Sequence, residues 1–204
     1  MSVDDDRPVN HHADHPGFSG VTGALVGLVL LFMGRADARL AADLTEVGAD
    51  DTVVDIGCGP GKAAREAARR GAAVIGIDPA PVMLGLARAV TRHGTIAWAT
   101  GTAERVPLPD ASATVAWSLA TVHHWKDVDA GLSELRRLLE PGGRLLAVER
   151  QVDGSATGLA SHGWTRQQAD SFAAQCSSAG FRDVTVTGRK AGRRDVWVVQ
   201  AVRP

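Results

Sequence analysis

The stretch Val53-Val54-Asp55-Ile56-Gly57-Cys58-Gly59-Pro60-Gly61 decides the fold. A short apolar run carrying one acid ends in three glycines at alternating positions, and Lys62 to Arg70 follows with helical character. The pattern predicts a buried strand, a tight turn and a helix start, in that order. Glycine tolerates positive φ and lets a ligand approach the backbone, while the free N–H groups of a helix start favour a polar or anionic group. Gly57, Gly59 and Gly61, with Asp55 at the strand's carboxyl end, are therefore candidate binding residues.

Downstream the same alternation repeats. Ala73 to Ile77, Thr95 to Ala99, Ala113 to Trp117 and Arg144 to Val148 read as strands, separated by helical stretches over Pro81 to Arg92 and Val128 to Leu139, the latter closed by Pro141-Gly142-Gly143. Strands that alternate with helices and show little polar alternation predict parallel pairing covered on both faces. The tail differs: after a helix over Thr165 to Ala179, Phe181 to Thr187 and Asp195 to Val202 alternate across a basic glycine turn with Arg189, Lys190, Arg193 and Arg194. The expected architecture is a doubly wound, mostly parallel α/β sheet of seven strands, closed by a C-terminal antiparallel hairpin.

Asp78 ends the second strand, where an acid is placed to accept hydrogen bonds from both hydroxyls of a ribose. A dinucleotide fingerprint needs glycines at its first, third and sixth places, and here the sixth is Lys62, so a nicotinamide-dependent oxidoreductase is the weaker alternative.

Bulk properties narrow the field. With Lys+Arg 22 against Asp+Glu 23 and no long run of one sign, nucleic acid is not an expected partner. Cys58 and Cys176 lie far apart, which suggests neither a disulfide framework nor a metal knuckle, so a reducing cytoplasm is the expected setting. The apolar stretch Val21 to Met33 is shorter than the ~20 residues of a membrane span. Asp4, Asp5, Asp6 and Asp14 stand where a secretion signal carries positive charge.

At the glycine turn and Asp78 the chain resembles the class I S-adenosylmethionine-dependent methyltransferase family. The resemblance covers roughly Asp51 to Glu149 and, more loosely, Trp164 to the end. Asp55 to Gly61 is similar to the family's first motif, Asp78 to its ribose-binding acid, and Gly101 to Asp110 to its adenine-side loop; Ser118-Leu119-Ala120-Thr121-Val122-His123-His124-Trp125 is similar to the segment after the fourth strand and Leu138 to Leu145 to the fifth-strand entry.

The resemblance implies S-adenosyl-L-methionine as cofactor, with Gly57, Gly59 and Gly61 along its methionyl part and Asp78 on its ribose. Pro79 and Met83 would line the adenine, Thr102 and Ala103 would sit at its polar edge, and Ser118 would complete the donor-binding set. Many relatives carry Asp where Thr102 stands; a hydroxyl accepts without charge assistance, which predicts weaker donor affinity. The implied reaction is in-line transfer of the sulfonium methyl to a small acceptor, leaving S-adenosyl-L-homocysteine. A non-catalytic S-adenosylmethionine-binding protein is the further alternative.

His123 and His124 follow the fourth strand at the crevice where parallel sheets bind ligands, and are the candidate catalytic pair, since a neutral histidine can take the acceptor's proton. No metal is required. His11-His12-Ala13-Asp14-His15 has chelating residue types, but belongs to a polar N-terminal arm with nothing in the sequence to fix its geometry. Residues 1–35 are expected to form an arm and an apolar segment, Phe18 to Met33, covering an apolar acceptor; residues 36–204 form the donor-binding domain.

Overall fold

A computed structural model describes residues 8–13, 35–91 and 96–204, together with the backbone but not the side chain of Leu159. The strands are β1 (Thr52–Ile56), β2 (Ala73–Asp78), β3 (Ile96–Thr100), β4 (Ala113–Leu119), β5 (Leu139–Arg150), β6 (Arg182–Ala191) and β7 (Arg194–Val202). They form one sheet in the order β3-β2-β1-β4-β5-β7-β6. β1 to β5 pair parallel, and β7 runs antiparallel between β5 and β6. The helices are α1 (Arg35–Leu44), α2 (Lys62–Arg69), α3 (Pro81–Val90), α4 (Val128–Leu138) and α5 (Arg166–Ser178). This is the expected doubly wound sheet with its antiparallel close.

Because successive strand residues point to opposite faces, Val53 and Val54 serve two different cores. Val53 joins Val74, Val115, Trp117 and Leu146 under the alanine-rich faces of α1 and α2. Val54 joins Ile77, Ala116 and Leu145 under α4 and α5, where Leu132, Leu135 and Phe172 are fully buried. Small residues on α1 and α2 let both helices lie close to the sheet.

Two boundaries depart from the sequence reading. Pro141-Gly142-Gly143 does not separate helix from strand: Leu139 already pairs with Ala113, and a register shift before Val115 accommodates the glycines inside β5. The basic cluster is mostly strand, because β6 runs to Ala191 and β7 starts at Arg194; Lys190 pairs with Asp195 at 2.8 Å, and Arg194 pairs with Asp37 of α1. The apolar cover expected over Phe18 to Met33 lies outside the described residues.

Register fixes where a site can form. Ile56 sits level with Ile77 of β2 and with Ser118 of β4. The glycine turn after β1, Asp78, and the segment after β4 therefore emerge together at one carboxyl edge.

Candidate functional site

The chain leaves β1 through Gly57, Gly59 and Gly61, all at positive φ (68°, 53° and 75°). Gly61 caps α2 but has no side chain to offer its N–H groups, and Asp55 supplies the acceptor instead, taking the Ala64 N–H at 3.1 Å. Asp78 pins the turn from β2: one carboxyl oxygen accepts the Gly59 N–H and the other the Ala80 N–H, both at 2.8 Å. Asp78 thus ties two loops together and is not the N-cap of α3, which is Ala80.

Burial pushes the Asp55 carboxyl up to about 7, with the nearby Asp78 adding to the rise and the Ala64 N–H opposing it. Asp78 is raised too, by burial, against its two backbone donors. A turn holding two acids that resist ionisation is suited to a ligand carrying positive charge.

Space points the same way. A Cβ on Gly61 would lie 2.1 Å from the Trp98 ring, so that glycine is imposed by the protein itself. Among the described residues, a Cβ on Gly59 would meet nothing within 4 Å, so the backbone there borders room that they leave open.

The segment after β4 is next door. Gly57 backs onto the Thr121 side chain, and the Thr121 hydroxyl bonds both Ser118 Oγ (2.7 Å) and the Ile56 carbonyl (3.1 Å), fastening the ends of β4 and β1. A 3-10 turn, Val122–His124, follows. Glu149 of β5, fully buried, organises it: one oxygen accepts the Val122 N–H and the other the His123 Nδ1–H, each at 2.9 Å. That bond places the remaining lone pair of His123 on Nε2. Burial, with His123 second, pushes His124 down to about 3, so its ring is neutral across the physiological range.

Residues 8–13 are held against this turn. Trp164 Nε1 donates to the Val9 carbonyl and Gln168 Nε2 to the Pro8 carbonyl, both at 3.0 Å, and the His12 N–H donates to the His123 carbonyl at 2.9 Å. His12 stacks on His162 with ring centroids 4.2 Å apart. The arm, expected to lack fixed geometry, is ordered over these six residues because Trp164 and Gln168 provide buried donors for it.

A family model described as a methyltransferase domain matches residues 54–147. The chain is 37% identical over 124 residues to a demethylmenaquinone methyltransferase of Tropheryma whipplei, covering 60% of this chain and 52% of that protein. It is 33% identical over 138 residues to a malonyl-[acyl-carrier protein] O-methyltransferase of Serratia marcescens, covering 68% of this chain and 52% of that protein. Residues 54–147 carry a methyltransferase domain of the class I S-adenosylmethionine-dependent kind. The chain spans about half the length of these curated relatives. A solved S-adenosylmethionine-dependent methyltransferase from Aquifex aeolicus shares the fold, with a TM-score of 0.73 at 17% identity, covering 89% of this chain and 98% of that one.

The methyl donor of this methyltransferase family fits the turn in charge and in space. Its sulfonium and α-ammonium groups would offset the cost of ionising Asp55 and Asp78, and the open room at Gly59 admits it against the backbone. Of the residues predicted to hold it, Pro79 and Thr102 are exposed at the edge, while Ala103 is largely buried. Met83 and Ser118 are 1% and 0% exposed and lie beneath that surface, Ser118 with its hydroxyl on Thr121.

Sequence reasoning missed Glu149, Glu104 and His162. An acid ending the apolar run Leu145 to Val148 was a legible signal for Glu149, since such a group is buried only with partners. Glu104 accepts the Lys126 N–H at 2.8 Å and so joins the adenine-side loop to the histidine turn. His162 has no local signal; the link between β5 and α5 carries it back over the site, with Arg150 Nε donating to the His162 carbonyl at 3.1 Å.

Proposed function

We propose that this chain transfers the methyl group of S-adenosyl-L-methionine to a small, partly apolar acceptor. The observation that carries the reading is the pair of buried carboxyls, Asp55 and Asp78, beside open backbone at Gly59, directly against the turn that bears His123 and His124. The donor would lie along Gly57, Gly59 and Gly61 with its ribose on Asp78 and its adenine by Pro79, Thr102 and Ala103. Met83 would support the adenine floor from below, and Ser118 would act through Thr121.

In the transfer, the acceptor's nucleophilic atom forms its bond to the methyl carbon as the carbon–sulfur bond breaks, and the sulfur leaves neutral as S-adenosyl-L-homocysteine. Holding acceptor and methyl in line supplies a large share of the acceleration, roughly 7–11 kcal/mol in favourable cases. His123 and His124 are the groups that activate the acceptor by easing loss of its proton. The apolar quality of the acceptor is supported by the Leu, Val, Phe and Met content of residues 18–33, the expected cover. The two relatives, a demethylmenaquinone methyltransferase and a malonyl-[acyl-carrier protein] O-methyltransferase, accord with a small-molecule or carrier-borne acceptor.

An anionic pyrophosphate would raise the cost of two already reluctant acids, which disfavours the nicotinamide alternative. The free, buried thiols of Cys58 and Cys176 accord with a reducing compartment. Among the described residues no helix is long and apolar enough to cross a membrane.

Calorimetry with S-adenosyl-L-homocysteine and with NADH tests the donor, and mass analysis of a panel of quinols, phenols and malonyl thioesters tests the transfer. Binding of the homocysteine product and a methylated acceptor are expected. His123→Asn should lower turnover by roughly 10²–10⁴ while leaving product affinity near wild type. Binding of the nicotinamide instead would overturn the reading, and product binding without turnover on any acceptor would favour the non-catalytic one.

A further inference from the structure

Histidines from separate parts of the chain converge at the carboxyl edge. His123 and His124 come from the turn after β4, His162 from the link between β5 and α5, and His12 from the N-terminal arm. One ring nitrogen from each of His123, His124 and His162 lies within 4.8 Å of the other two. Ring centroids are 4.1 Å apart for His123 and His124, 5.4 Å for His123 and His162, and 5.3 Å for His124 and His162.

His123 supplies the decisive detail. It is 2% exposed, and its Nδ1 is committed to the fully buried Glu149, whose other oxygen already accepts the Val122 N–H. Its Nε2 is buried and, among the described residues, has no hydrogen-bond partner. Leaving a buried ring nitrogen unmatched is costly, and a carboxylate holding one nitrogen so that the other presents its lone pair is the arrangement that orients metal-binding histidines.

We propose that His123, His124 and His162 bind one divalent transition-metal ion of the zinc class, with Glu149 orienting His123 and His12 bracing the ring of His162. Three imidazoles at this spacing form the open kind of site. Metal–nitrogen bonds of about 2.0–2.1 Å leave a fourth position for water or for an oxygen or nitrogen of the acceptor. Imidazole donors suit zinc, copper, nickel or iron over magnesium or calcium.

The site stands on side-chain geometry alone and is independent of the donor turn. Where the methyl-transfer reading also holds, the histidine pair activates the acceptor through the ion. An acceptor hydroxyl bound at the fourth position loses its proton to solvent more readily, and the resulting oxygen attacks the methyl carbon as the sulfonium is discharged.

The test uses the full chain, stripped with a chelator and titrated with Zn²⁺ by calorimetry and with Co²⁺ by visible absorption. One equivalent per chain is expected, with the intense ligand-field bands of four-coordinate cobalt. His162→Ala and His123→Asn should each weaken Zn²⁺ binding at least ~100-fold, and Glu149→Gln by about 10–100-fold as a lost orienting contact. His11→Ala should leave affinity within about threefold, because both His11 nitrogens are already bonded, to Ser161 and Gln168. Folding of each variant is read from circular dichroism, and its donor site from S-adenosyl-L-homocysteine affinity. Cobalt spectra of six-coordinate type, or Zn²⁺ affinity unchanged in folded His162→Ala, would overturn the metal site whether or not donor binding survives. Failure of donor binding with the metal titration intact would count against the methyl-transfer reading alone.

Discussion

Asp55 is a strand residue that serves as a helix cap, and its energetics follow from that double position. Gly61 cannot cap α2, so the Ala64 N–H reaches back to a carboxylate buried at the end of β1. Burial raises its pKa from 3.8 to about 7, so the folded state holds this proton more tightly than the unfolded chain does. The sign is therefore unfavourable with rising pH: stability falls between about pH 4 and pH 7, by at most on the order of 4 kcal/mol, and is flat above. Asp55→Asn removes this dependence. Melting temperatures of both proteins from pH 5 to 8 should show the mutant gaining on wild type as pH rises; parallel curves would show that Asp55 does not titrate there. Asp78 is the complementary case. Asp78→Ala should weaken S-adenosyl-L-homocysteine binding by roughly 2–4 kcal/mol, about 30- to 700-fold, since the ribose would lose a charged acceptor. Because Asp78 also holds the Gly59 and Ala80 N–H groups, melting temperature is measured alongside. An unchanged affinity in a folded variant would remove the ribose assignment.

At the scale of elements, the three glycines look alike in sequence and differ in the folded chain. Gly61 lies against Trp98 of β3, whereas Gly59 borders open room. Gly61→Ala should therefore cost about 3 kcal/mol or more, from overpacking in addition to its positive φ. Gly59→Ala should cost only about 1–2 kcal/mol of backbone strain, yet reduce donor affinity by a larger factor than Gly61→Ala does in protein that remains folded. Denaturant titration and calorimetry separate the two, and equal stability losses would refute the division. The strands and helices themselves were legible, because parallel strands buried on both faces read as short apolar runs between glycine and proline signals. What was not legible was every contact that joins distant segments. Trp98 against Gly61 and Glu149 against His123 both depend on register between strands, and period and composition do not encode it. Pro141-Gly142-Gly143 misled for the same reason: its turn chemistry was real, but the pairing of Leu139 with Ala113 absorbed it into β5.

Across the whole molecule, the N-terminal residues connect the donor edge to the C-terminal half. The sequence suggested a polar arm free of the domain, yet Val9 is 5% exposed and joins the same core as Phe172 and Leu132. Trp164 and Gln168, both buried, donate to the carbonyls of Val9 and Pro8, and Asn10 donates to the Trp125 carbonyl at 2.9 Å. Deleting residues 1–34 consequently does more than remove the proposed acceptor cover. It leaves two buried donors without their acceptors, each costing about 1–3 kcal/mol unless water reaches them. At this chain length each kcal/mol lowers the melting temperature by roughly 2–4 °C, so a fall of about 4–24 °C is expected. The sheet, which starts at Thr52, and the glycine turn do not depend on these residues, so S-adenosyl-L-homocysteine should still bind within a few-fold of wild type. Turnover should be lost, because His12 and the backbone around it hold the histidine turn and the proposed cover is gone. Restoring residues 1–13 through a flexible glycine-serine link to Arg35 should recover most of the melting temperature without turnover, separating the docking contacts from the cover. A truncated protein that turns over normally would show that residues 1–34 do not enclose the acceptor.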